Sequence, residues 1–77
     1  MKAERVDEGR NSQGVGLSSY EMALLKMVAE GSSPAEMAEA MATTRSAVLR
    51  QLSLIRLKLN VTTDVQAVAL ATERGWI

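Results

Sequence analysis

The side chains that could do chemistry are few, and the missing ones decide as much as those present. The 77-residue chain has no histidine and no cysteine. That removes the usual general base, the commonest metal ligands and any disulfide. Ser32 and Ser33 have no base beside them, and no glycine-rich phosphate loop exists. No catalytic, metal, cofactor or small-molecule site is expected. What remains is charge. Lysine plus arginine is nine and aspartate plus glutamate is nine, so the formal net charge is zero. The zero conceals a division. Between 17 and 41, Glu21, Glu30, Glu36 and Glu39 face only Lys26, a net of −3. Between 45 and 59, Arg45, Arg50, Arg56 and Lys58 face no acid, a net of +4. Between 60 and 77, Asp64 and Glu73 outweigh Arg74, a net of −1. One basic segment in a neutral chain has the chemistry of phosphate binding.

That segment has to be held by helices. Apolar residues are 47% of the chain and charged ones 23%, a globular mix. Ser18 with Glu21 forms a capping box, followed by Leu24, Leu25 and Val28 at helical spacing and closed by Gly31. Ser33-Pro34-Ala35-Glu36 starts a short second helix with Met37, Ala38 and Met41 inward. Thr43 and Thr44 precede the longest helix, whose Val48, Leu52, Ile55 and Leu59 recur at spacings of four, three and four. Asn60 suits a left-handed stop. Thr63 with Gln66 opens the last helix, with Ala67, Val68 and Ala71 on one face and Gly75 at its end. The expectation is an all-α fold of four helices over 18–30, 33–41, 44–59 and 63–74. Residues 1–16 hold three glycines and six charges in no periodic order. They are expected to form a disordered N-terminal tail ahead of one domain at 17–77. No apolar run suits a membrane span or a signal peptide, so a cytoplasmic protein is expected.

Helices two and three are separated by only Ala42-Thr43-Thr44, the layout of a helix-turn-helix. A projection at about 100° per residue places Ala47, Leu49, Arg50, Ser53, Leu54, Leu57 and Ser46 on the outward arc, with Arg45 and Arg56 at its flank. On the fourth helix Val65, Ala69 and Thr72 face outward, small enough for two copies to approach closely. Trp76 is expected to cap the core or a dimer edge, and the five methionines to fill the core.

The residues Leu17-Ser18-Ser19-Tyr20-Glu21, Leu25, Ala29-Glu30-Gly31, Ser33, Glu36-Met37-Ala38, Val48, Ile55, Lys58-Leu59, Val61, Gln66-Ala67-Val68 and Gly75-Trp76-Ile77 resemble the LuxR-type (GerE-like) DNA-binding domain. The resemblance covers 17–77 without a gap. It implies a four-helix domain with the third helix in the major groove, transcription regulation, and dimerisation through the fourth helix. The expected form is a short member without an attached receiver or ligand-binding domain. The chain also departs from the family pattern. Leu49 and Gln51 stand where the family usually has lysine and histidine, and Leu57 where a basic residue is frequent. Asp64 replaces an arginine, and Pro34-Ala35 an asparagine-lysine pair.

Two functions are therefore weighed. In the first, a homodimer binds double-stranded DNA through Arg45, Ser46, Leu49, Arg50, Ser53, Arg56 and Lys58, and pairs through Val65, Ala69 and Thr72. In the second, the chain is an antiactivator or interaction module. It keeps the fold, has lost much of the DNA face, and binds another transcription regulator through Leu49, Leu54 and Leu57.

Overall fold

Each helix begins where a short polar side chain closes its first turn. In the computed structural model, which describes residues 16–77, α1 (Ser19–Ala29), α2 (Pro34–Ala40), α3 (Arg45–Leu59) and α4 (Asp64–Glu73) follow one another. The Ser18 hydroxyl accepts from the Glu21 N–H at 3.1 Å, and the Glu21 carboxylate accepts from the Ser18 N–H at 2.8 Å. Ser33 and Glu36 repeat the exchange at 3.1 and 2.7 Å. Thr63 and Gln66 make it at 3.1 and 3.0 Å. Thr44 caps α3 by accepting from the Ala47 N–H at 3.1 Å. Each cap satisfies amide donors that helix geometry leaves without a partner. The four expected helices are all present. Their bounds are tighter than expected because Ser18, Ser33, Thr44 and Thr63 are non-helical caps rather than first residues.

The core gathers one face from each helix: Leu24 and Leu25 from α1, Met37 and Ala38 from α2, Val48, Leu52, Ile55 and Leu59 from α3, and Ala67 and Ala71 from α4. α3 is the shared wall, packed against α1, α2 and α4. The two alanines let α4 lie close on α1. Leu17, Tyr20, Val28, Val61, Leu70, Trp76 and Ile77 cover the rim. Met41 and Val68, expected inside, are half-buried at that rim. Of the methionines only Met37 is fully buried, while Met22, Met27 and Met41 are half-buried and Met1 lies outside the described residues. Trp76 sits at the edge of the core under the Arg74 guanidinium, 5.7 Å from the ring centroid. No strand occurs among the described residues. The expected tail, apart from Gly16, falls outside them.

The turn between α2 and α3 contains a feature that no residue type announces. Ala42 has φ +55°, in the left-handed region that disfavours a side chain. The backbone holds it there: its N–H donates to Glu39 O at 3.2 Å, and the Thr43 N–H donates to Ala38 O at 2.8 Å. Ala42 is exposed, so removing its methyl exposes no core. Ala42→Gly is therefore expected to stabilise the domain by about 0.5–1 kcal/mol, the left-handed relief exceeding the added chain entropy. A thermal melt should show a midpoint raised by a few degrees. A lowered midpoint would mean the turn is not strained.

Candidate nucleic-acid interface

The turn at 41–44 is hydrogen-bonded back to α2 through Ala42 and Thr43 and on to α3 through Thr44, and α2 packs on α3. Because Val48, Leu52, Ile55 and Leu59 face inward, the opposite side of α3 has to face solvent. Ser46, Leu49, Arg50, Ser53, Leu54 and Leu57 are exposed there, as expected, Arg45 is exposed at its flank, and Lys58 is exposed on the side toward α1. Leu57 is 76% exposed, and Leu49 and Leu54 are close to half exposed at 47% and 45%. Ala47, expected on the outward arc, is half-buried, in the first turn of α3 where its N–H donates to the Thr44 hydroxyl. Arg56 is also half-buried. On α4, Val65, Ala69 and Thr72 are all exposed, Val65 at 76%.

The four cations of α3 divide into two pairs. Arg45 and Arg50, on its first two turns, make no ion pair with any acid among the described residues. Arg56 and Lys58, expected at the duplex, are instead engaged within the domain. The Arg56 guanidinium binds the Asp64 carboxylate at the start of α4 and donates to Ser53 Oγ at 3.0 Å. Lys58 Nζ donates to both oxygens of Glu21, at 2.8 and 3.0 Å, joining α3 to α1 across 37 residues. Of the four positive charges on α3, two are thus without an acidic partner among the described residues. Neither pairing follows from periodicity. Arg56 and Asp64 are eight residues apart across a turn, and opposite charges flanking that turn are the only signal. Glu21 is legible as a cap but not as a partner of Lys58.

Glu21 is the one buried charged side chain among the described residues. Burial alone would push its carboxyl up. The Lys58 hydrogen bond, the Ser18 amide and the Lys58 charge outweigh burial and hold it below the usual carboxylate range. The folded state therefore binds the Glu21 proton less tightly than the unfolded chain does. The resulting stability is present above the unfolded carboxylate pKa and is lost as pH falls through the lower folded value. Glu21→Gln is expected to lower the melting midpoint at neutral pH, by about 1–3 kcal/mol of stability. The gap from the parent should close in acid. A gap constant from neutral pH into acid would show that the pair contributes nothing.

No group of residues able to hold a metal ion occurs among the described residues, and no helix there is long and apolar enough to cross a membrane. A shallow open hollow lined by Ser53, Arg56, Leu57, Asn60, Val61 and Thr62 lies where α3 passes into α4.

A short helix, a tight turn and a longer helix with its basic flank outward define the helix-turn-helix class. The family model for bacterial regulatory proteins of the luxR family (GerE) matches residues 15–71, and the chain belongs to that family. It is a DNA-binding regulator of transcription and not an enzyme. Comparison with curated proteins found no match.

Proposed function

We propose that the chain binds duplex DNA by laying the first two turns of α3 in the major groove. Arg45 and Arg50 meet phosphates or guanine edges, Ser46 and Ser53 donate to phosphates, and Leu49 touches a thymine methyl. Lys58 acts within the domain, linking α3 to α1, and Arg56 is engaged by Asp64 of α4. Two copies pair through Val65, Ala69 and Thr72 of α4 and read half-sites about one helical turn apart. Under this reading the protein works in the cytoplasm, on chromosomal DNA. The observation that carries it is the pair of exposed arginines on α3 with no acidic partner among the described residues.

The test is a titration of mixed-sequence duplex at several salt concentrations. The logarithm of affinity should fall with the logarithm of salt with a slope of about −2 per protomer, from about −0.9 per phosphate neutralised. A flat response, or no binding at low salt, counts against the reading. The second reading is an interaction module for another transcription regulator. It is favoured by the exposed leucines Leu49, Leu54 and Leu57, which carry no hydrogen-bond information for bases. Chemical-shift mapping in which another regulator marks these leucines while duplex leaves α3 unmarked would favour that reading over DNA contact.

A further inference from the structure

The two ion pairs of α3 differ in how firmly they are held. In Lys58–Glu21 the lysine side chain is 40% exposed, but the carboxylate is only 10% exposed, takes the lysine on both oxygens and also accepts from the Ser18 amide. That pair is a fixed link between helices. In Arg56–Asp64 both side chains remain about a third exposed, at 30% and 36%. A pair that open is weak, and its guanidinium can change partners. Carboxylate and phosphate offer an arginine the same two-oxygen geometry. Arg56 lies six residues beyond Arg50, about 9 Å further along the helix axis. It is also turned about 120° around the axis from Arg50, onto the flank that carries Arg45, so a duplex that follows that flank comes within reach of its side chain. What stands between Arg56 and a phosphate is Asp64, at the first position of α4.

We infer that Asp64 limits the affinity of this chain for DNA by occupying Arg56 and by placing a negative charge beside any phosphate that approaches it. The inference rests on the DNA-binding reading of α3. A phosphate arriving at Arg56 has to displace the carboxylate. It then remains close to that carboxylate, well within the Debye length of about 8 Å at physiological salt. Attraction to the guanidinium and repulsion from the carboxylate largely cancel, so Arg56 adds little to binding in the parent protein. Neutralising Asp64 removes both obstacles and converts Arg56 into a phosphate ligand.

The test compares Asp64→Asn with the parent in the same mixed-duplex titration. Affinity at low salt should rise about three- to tenfold, and the salt slope should steepen by about one. Arg56→Ala alone should change affinity by less than about twofold. Added to Asp64→Asn, it should abolish the gain. Glu73→Gln removes an equal charge from the far end of α4 and should change affinity by less than about twofold, separating a local effect from total charge. Asp64→Ser repeats the experiment with a residue at home in a first helical turn, should asparagine disturb the start of α4. An unchanged slope in both Asp64 variants, or a gain that survives Arg56→Ala, overturns the inference. If the parent fails to bind at any salt but Asp64→Asn binds, the inference stands and the DNA-binding reading of the parent falls. If neither binds, both fall.

Discussion

Replacing Arg45 and Arg50 together with alanine is expected to lower duplex affinity by about thirtyfold or more at moderate salt, each interaction being worth about 1–3 kcal/mol. The size follows from how few cations α3 offers outward. Two of its four are engaged by Asp64 and Glu21, so these arginines carry most of the phosphate neutralisation. The salt dependence of whatever binding survives should be nearly flat, since its slope counts neutralised phosphates. Neither residue is in the core, so the melting curve should stay within about 0.5 kcal/mol of the parent's. Lys26→Ala is the matched control: an exposed cation on α1, expected to leave both affinity and slope in place. A double variant that binds like the parent, with the same slope, would move DNA contact away from α3 altogether.

The other large effect is on folding. Ile55 is completely buried at the point where α3 meets the rest of the core. Truncation to alanine removes its transfer energy and leaves a cavity, together about 2–5 kcal/mol. A single core of this size rarely yields more than about 3–5 kcal/mol of net stability. Ile55→Ala is therefore expected to be largely unfolded at about 37 °C, with loss of the far-ultraviolet helical signal and of DNA binding at every salt. Leu57→Ala, two residues away and 76% exposed, should fold like the parent. A cooperative melt of Ile55→Ala near the parent's midpoint would show that the core repacks around the gap. The two experiments also separate the roles of α3, since one removes affinity from a folded domain and the other removes the domain.

Much of the scaffold is legible in the order of residues alone, for a local reason. Ser18–Glu21, Ser33–Glu36 and Thr63–Gln66 write helix starts within four residues. The stripe Val48–Leu52–Ile55–Leu59 tells which face of α3 turns inward. Asn60, with φ +58°, ends α3 as its residue type suggests. The outward arginines and leucines then follow from the same periodicity. What is not legible depends on partners distant along the chain or on backbone shape. Lys58 has no local sign that it will meet Glu21, because that meeting needs α1 and α3 to be docked first. Ala42 gives no warning of its left-handed conformation, since glycine, asparagine and aspartate are the residue types that mark it. Arg56 and Lys58 look like part of the outward charge by type and spacing. Only the tertiary arrangement separates them from Arg45 and Arg50.

The joint between α2 and α3 is fixed by main-chain hydrogen bonds and by one buried stripe, and neither involves the outward side chains. Residues on the solvent side can therefore be exchanged during evolution without altering the angle at which α3 is presented. Leucine at 49 and 57 leaves the four-helix framework intact, which is how a chain can diverge in what it recognises while its architecture stays constant. On α3 the positions that carry the fold and the outermost positions offered to a target are therefore largely different residues.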